Sequence, residues 1–220
     1  MRQETEARKS KRRQHSVKEL ASAGSTPHIN GNYIRNMASA FSHAFAAIAL
    51  GKTCTGQKLP WKFWGLAVAS AVLPDADVIA FGFGIPYASM FGHRGLTHSL
   101  SFALVWGFLV ASTEFKSVAR FSRQWWGLFL FFFAATASHG VLDAFTNGGL
   151  GVAFFAPFSS TRYFFPWHGI KVSPLTIHQF FSEWGGAVVE SELKYIWLPC
   201  AAVWLAAWVV RRIRTLKSGK

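Results

Sequence analysis

The stretch "FGHRGLTHSL" puts His93, Arg94 and His98 inside eight residues beside a long apolar run. Two imidazoles and a guanidinium beside hydrocarbon are costly unless something satisfies them. Three further stretches repeat the pattern: "SHAFA" carries His43, "LPDADVI" carries Asp75 and Asp77, and "SHGVLD" carries His139 and Asp143. Neutral imidazole and carboxylate together suit zinc, with manganese or iron as alternatives. His139 and Asp143 stand four apart, so a helix puts them on one face where both can grip one ion. His93 and His98 stand five apart across Gly95, a spacing that predicts His93 in a loop and His98 on the following helix. Asp75 and Asp77 flank one alanine in a turn at Pro74; one can ligate while the other orients a histidine or takes a proton. Arg94 has no acid near it in sequence, and a guanidinium beside a metal suits phosphate. Each stretch alone has a blander reading: a hydrogen-bonded core histidine, a helix-ending turn with capping aspartates, or a chance HxxxD. Together they are nearly the only ionisable groups in the apolar segments, and this favours one joint site.

The elements that must position these groups are written in the composition. The chain is 51% hydrophobic, 16% aromatic and 15% charged. Soluble domains carry about 25% charged residues, so lipid is the better solvent. Apolar segments fall at 38–50, 62–73 (extending at most to 83), 97–112, 125–145 and 195–210. A spanning helix needs roughly 20 apolar residues, and only the fourth reaches that with ease. The reading is an all-α, multi-pass membrane bundle with a metal site at one end. Successive helices joined by short loops run antiparallel. The start of the first, the end of the second, the start of the third and the end of the fourth then share one rim. That rim holds His43, Asp75, Asp77, His93, His98, His139 and Asp143. Residues 146–194 read as a long, partly ordered loop at the membrane surface that closes over the site.

Three regions follow: a basic, disordered tail at 1–36, a membrane-embedded domain at 37–212, and a basic C-terminal tail at 213–220. Met37 opens "MASAFSHAFAAIALG" and reads as a start of translation. The formal charge of +13 comes from 23 Lys and Arg against 10 Asp and Glu. Many cations flank apolar runs, which fits membrane topology better than nucleic acid. Positive-inside counting places the loops at 51–62 and 113–124 and the C-tail in the cytoplasm and the site on the other, periplasmic side. The basic tail argues the other way. Cys54 and Cys200 lack CxxC spacing, so a thiolate metal site is disfavoured.

With these motifs in order, and "RYFFPW" after them, residues 38–210 resemble the YdjM family of bacterial inner-membrane proteins. That family is described as metal-dependent hydrolases, also labelled LexA-binding and membrane-associated. The resemblance implies a metal-dependent hydrolase. The order His, Asp, His, HxxxD is also distantly similar to zinc-dependent phospholipase C and zinc nucleases. That likeness carries metal binding onto His43, Asp75 or Asp77, His93 or His98, His139 and Asp143. Those enzymes use further ligands for which His168 and His178 are only loose matches, so one or two ions are expected. In this reading Asp75 or Asp77 moves the proton and Arg94 meets negative charge on an amphipathic, phosphate-containing or lipid-like substrate. Arg162 is an anion contact or an interfacial cation, and Glu183 and Glu192 are expected to pair with Lys or Arg. Two other classes compete: a non-enzymatic adaptor with a structural metal and a protein partner of unstated kind, and a metal or proton transporter.

Overall fold

A computed structural model describes residues 36–37, 39–174 and 183–218. The basic 1–36 tail, Asn36 apart, and His178 lie outside them. Serines start three of the helices. Ser39 caps α1 (Ala40–Cys54), Ser99 caps α3 (Leu100–Thr113) and Ser122 caps α4 (Arg123–Ala144), each hydroxyl accepting from the N–H three residues on. Such caps satisfy an N–H that the helix itself leaves unpaired. Between them, α2 (Trp61–Val72) passes directly into a 3₁₀ segment, Leu73–Phe83.

Proline 74 explains the change. It lacks an N–H, so the α pattern cannot run through it, but its fixed φ suits the first turn of a new helix. The apolar run therefore continues to Phe83, and Trp61–Phe83 reaches spanning length. A second extension comes at the other end of the chain. The stretch expected to be loop up to 194 becomes helical at α5 (Glu183–Glu192). It continues through a π turn, Leu193–Trp197, into α6 (Leu198–Ser218). Among the described residues three helices are thus long and apolar enough to cross a membrane, Trp61–Phe83, Arg123–Ala144 and Glu183–Ser218, where only one apolar segment of the sequence is of easy spanning length. Residues 213–218 of the basic tail continue α6.

The fold is a helical membrane bundle. α1 packs against α2, α4 and α6, and α4 also packs against α2 and α3. Two short strands, β1 (Asn36–Met37) and β2 (Ser173–Pro174), pair antiparallel. An aromatic core of Phe63, Phe131 and Phe132 with Ala67 and Val110 fills one end. A second cluster is alanine only: Ala47, Ala71 and Ala135. Each stands four residues, one helical turn, from a candidate ligand: His43, Asp75 and His139. Small side chains let helices approach closely in lipid, so this layer draws α1, α2 and α4 together just below the site. Lipid-facing residues are as plain: Leu104, Val105, Phe108 and Leu109 of α3 are exposed, and α6 buries none of its residues.

The last helical segment is tied to the first by a buried acid. Glu192 accepts from the Ser39 N–H at 2.7 Å, the Ser39 hydroxyl at 2.5 Å and the Ser42 hydroxyl at 2.8 Å. The Trp197 indole N–H in turn donates to the Ser42 hydroxyl at 2.8 Å. Glu192 was expected to meet Lys or Arg; it meets two serines instead, Ser39 one turn before His43 and Ser42 next to it. Glu192→Ala strands all three donors. We expect a loss of about 2–3 kcal/mol, read as a lower Tm in detergent, with Glu192→Gln falling between.

Candidate metal centre

Four buried groups face one another across three elements. His139 of α4 places Nε2 3.1 Å from Oδ1 of Asp75, which sits in the 3₁₀ segment. His98 closes a 3₁₀ turn, Leu96–His98, just before α3; its Nε2 lies 3.7 Å from Asp75 Oδ1 and 3.4 Å from Asp143 Oδ2. His139 Nε2 lies 3.7 Å from Asp143 Oδ2. The sequence put His98 on the helix itself, but Ser99 takes the capping position, so α3 begins one residue beyond it. Donor separations of 3.1–3.7 Å match the edge, about 3.4 Å, of a tetrahedron of ligands with ~2.1 Å bonds.

Three of the rings, those of His139, His93 and His98, are held by a partner on Nδ1, which leaves Nε2 to face this centre. His139 Nδ1 donates to the Ala71 carbonyl at 2.6 Å. In the 3₁₀ register that carbonyl would accept from the N–H of residue 74, which is proline. The residue that ends α2 therefore also frees the acceptor that fixes His139. His93 Nδ1 donates to Asp77 Oδ1 at 2.6 Å. The other Asp77 oxygen accepts from the Thr97 hydroxyl at 2.7 Å and the Arg94 N–H at 3.2 Å, and stands 3.1 Å from His98 Nδ1. Asp77 is thus saturated by the groups it orients, while Asp75 Oδ2 has no partner. Of the two roles the sequence left open, the geometry gives orientation to Asp77 and an open lone pair to Asp75. Thr97 was not foreseen; its only signal was a hydroxyl beside a candidate histidine.

His43 stacks on His139, with ring centroids 3.7 Å apart, and brings Nε2 to 3.8 Å from Asp143 Oδ1. Arg94 meets an acid 49 residues away: its Nε lies 3.0 Å from Asp143 Oδ2. Its Nη1 also donates to the Gly148 carbonyl at 2.8 Å and the Thr146 hydroxyl at 3.0 Å. Arg94 is fully buried, and its backbone takes a left-handed φ of 60°. That conformation is uncommon outside glycine and survives where surrounding contacts fix it. Gly149 makes room: a Cβ there would sit 3.0 Å from Arg94 Nη1. Gly140 serves likewise, since a Cβ on it would meet the His98 carbonyl at 2.7 Å.

The structure therefore gathers His43, Asp75, Asp77, His93, Arg94, His98, His139 and Asp143 in one cluster. His168 is exposed and bonds only its own loop, at the Phe165 carbonyl. Arg162 is turned inward rather than toward an anion: it donates to the carbonyls of His93, Gly151, Tyr87 and Ser89, clipping the His93–Arg94 loop from outside. Four carbonyls take up both terminal nitrogens, and the guanidinium also lies 5.4 Å from the Tyr87 ring centroid, so Arg162 braces this loop. Cys54 and Cys200 are both free thiols.

Electrostatics and unmet hydrogen bonds test whether the cluster fits a metal. Three buried carboxylates share the site with one guanidinium, a deficit of two positive charges when the histidines are neutral. Buried charge must be compensated, and a divalent ion supplies two. His98 shows the same demand. Burial opposes its charge, yet the carboxylates of Asp143, Asp75 and Asp77 outweigh burial and raise its pKa well above the ordinary imidazole value. His93 goes the other way: burial lowers its pKa despite Asp77, which keeps the ring neutral with Nε2 bare. Among the described residues, more than half of the buried side-chain atoms without a hydrogen-bond partner are ligand atoms of this cluster: both nitrogens of His43, Nε2 of His93 and His98, Asp75 Oδ2 and both Asp143 oxygens. Native interiors rarely leave such atoms unmet without a missing partner. Asp75, His98, His139 and Asp143 form one set able to hold an ion, and Asp77, His93 and His98 a second that shares His98. Removing an orienting partner typically costs 10–100-fold in metal affinity. Asp77→Asn is expected to weaken zinc binding by about that range with little change in fold, measured by competition with a chromophoric chelator.

Comparison with known proteins agrees with this picture. Residues 37–216 match the family model described as "YdjM inner membrane protein". Inner membrane protein YbcI of Escherichia coli (strain K12) is 36% identical over 179 residues, covering 80% of this chain and all of that protein. No solved structure matches. The buried ligand cluster within its helical bundle is therefore the setting in which the family match must be read: the chain belongs to the YdjM inner membrane protein family.

Proposed function

We propose that the protein is a membrane-bound, metal-dependent hydrolase, with zinc as its ion and a phosphate ester or lipid-like molecule as its substrate. The observation that carries this reading is the buried deficit of two positive charges, lined by imidazole and carboxylate atoms 3.1–3.7 Å from one another. Asp75, His98, His139 and Asp143 would hold the ion, with His43 beside them and His93 and Asp77 behind His98. A bound divalent ion supplies Lewis acidity and a nucleophile of hydroxide strength near neutral pH. The chain's own groups do the rest. Asp75 carries an oxygen without a donor and is 8% exposed, where His139 and Asp143 are fully buried. Substrate and water enter on the Asp75 side, and Asp75 accepts the proton of the attacking water. Asp77 keeps His93 and His98 in register. Arg94, anchored through Nε and Nη1, keeps Nη2 for the charge that grows on the phosphoryl oxygens.

An amphipathic substrate follows from the surroundings. Ile79, Phe83, Phe91 and Phe158, in the 3₁₀ segment and the loops beside the site, are exposed, as suits residues dipping into lipid. The accessible Asp75 side also favours an open, reactive centre over a closed structural staple. Basic residues at the other end of the bundle favour a cytoplasmic position for that end and a periplasmic one for the site; a green fluorescent reporter fused after Lys220 should glow, and a dark fusion refutes this orientation. The activity is tested with generic phosphomonoester and phosphodiester substrates on detergent-purified protein. Hydrolysis that stops with chelator and returns with zinc or manganese supports the reading. Zinc-loaded protein inert toward all of them contradicts it.

A further inference from the structure

The end of the bundle opposite the metal centre carries a second built feature. There the C-terminal end of α1 meets α6. Arg211 donates to the Lys52 carbonyl at 2.7 Å and the Thr53 carbonyl at 2.8 Å, capping α1 and fixing the two helices together. Beside this clasp lies a groove of about 380 Å³, walled by Lys52, Thr55, Gln57, Arg211, Arg212 and Thr215. No carboxylate lines it. Glu114, at the C-terminal end of α3, is paired with Lys62 at 3.0 Å. Lys52 holds its ammonium 4.6 Å above the Trp64 ring, which keeps the charge at the mouth instead of in solvent.

The groove does not stop at the charges. Trp204 and Trp208 also line it, and both line a second, apolar groove of about 420 Å³ along α6 with Ala201 and Leu205. Cations, then indoles, then bare hydrocarbon succeed one another along one helix face. That order matches a glycerophospholipid from phosphate to acyl chain, and neither a free anion nor a peptide needs all three zones. Basic pockets between membrane helices attract anionic headgroups, and indole rings favour the depth where head meets chain.

We propose that this groove binds one anionic phospholipid, its phosphate held by Lys52 and Arg212 with the Thr55 hydroxyl and the Gln57 amide. Its chains lie along Trp204 and Trp208. Arg211 shapes the pocket while its terminal nitrogens stay on α1. Occupancy would tether α6, which buries no residue of its own, to the rest of the bundle. The proposal is independent of any chemistry at the metal centre.

Native mass spectrometry of the full-length, detergent-purified protein tests it, using phosphatidylglycerol and phosphatidylcholine of equal chain length as probes. Wild type should retain phosphatidylglycerol roughly tenfold better. Lys52→Gln with Arg212→Gln should erase that preference, while Lys116→Gln with Arg120→Gln, at the same end but outside the groove, should keep it. Inorganic phosphate should not displace the lipid. Equal retention of the two lipids by wild type overturns the proposal, and needs no variant to fold. So does an equal loss in the control pair, which would mean a diffuse basic surface. Displacement by phosphate alone would reassign the groove to a free anion.

Discussion

Asp75→Asn, His139→Ala and Asp143→Asn are each expected to lower metal-dependent phosphoester hydrolysis by at least roughly 10³-fold while leaving membrane insertion intact. The size follows from what is lost. Lewis-acid stabilisation of a phosphoryl transition state is worth several kcal/mol, and every 1.4 kcal/mol is tenfold in rate. Each of the three supplies a ligand atom to the same four-donor set, so removing one opens the set rather than shrinking it. Insertion should survive because the apolar helices are untouched. The kcat of purified variants, set beside their abundance in membranes, checks both halves. A variant with near-normal kcat at saturating zinc would remove that residue from the site.

Arg94→Met is expected to cost about 3–5 kcal/mol of stability, the usual penalty for unpairing a buried charge. Arg94 is fully enclosed and meets Asp143, itself fully enclosed, at 3.0 Å. The same guanidinium ties the 146–148 loop through Thr146 and Gly148. Methionine fills some of the volume but leaves Asp143, the loop carbonyl and the hydroxyl without a donor. Arg94→Lys should rescue little, because one ammonium cannot span the partners that a planar fork reaches. Bound zinc should recover part of the loss by pairing Asp143. Thermal unfolding in detergent, with and without zinc, measures this. A Tm close to wild type in the metal-free Met variant would contradict the assignment of Arg94 as the fixed counter-charge of Asp143.

The site was more legible in the sequence than the helices that carry it. Ligand-type residues stand out in apolar segments because lipid makes them expensive, and antiparallel order alone places them on one rim. Helix lengths were harder. Pro74 looked like an end, yet it begins a 3₁₀ continuation, and only the structure shows that its missing N–H leaves Ala71 for His139. The helix from Glu183 was hidden by Gly185, Gly186 and the surrounding aromatics, whose local pattern resembles a loop; packing against the start of α1, through Glu192 and Ser39, holds it helical. Arg94 and Arg162 could not be told apart by type. Both are arginines beside aromatic, glycine-containing stretches, and their difference lies in tertiary partners: a carboxylate for one, four carbonyls for the other.

The account stands on one cluster of buried lone pairs being a metal centre. Elemental analysis of detergent-purified wild type beside the Asp75→Asn, His139→Ala, Asp143→Asn triple variant tests it most directly. A divalent metal should co-purify with the wild type and be absent from the triple variant. Equal metal in both proteins, or none in a wild type refolded or reloaded with zinc, manganese and iron in turn, would contradict it.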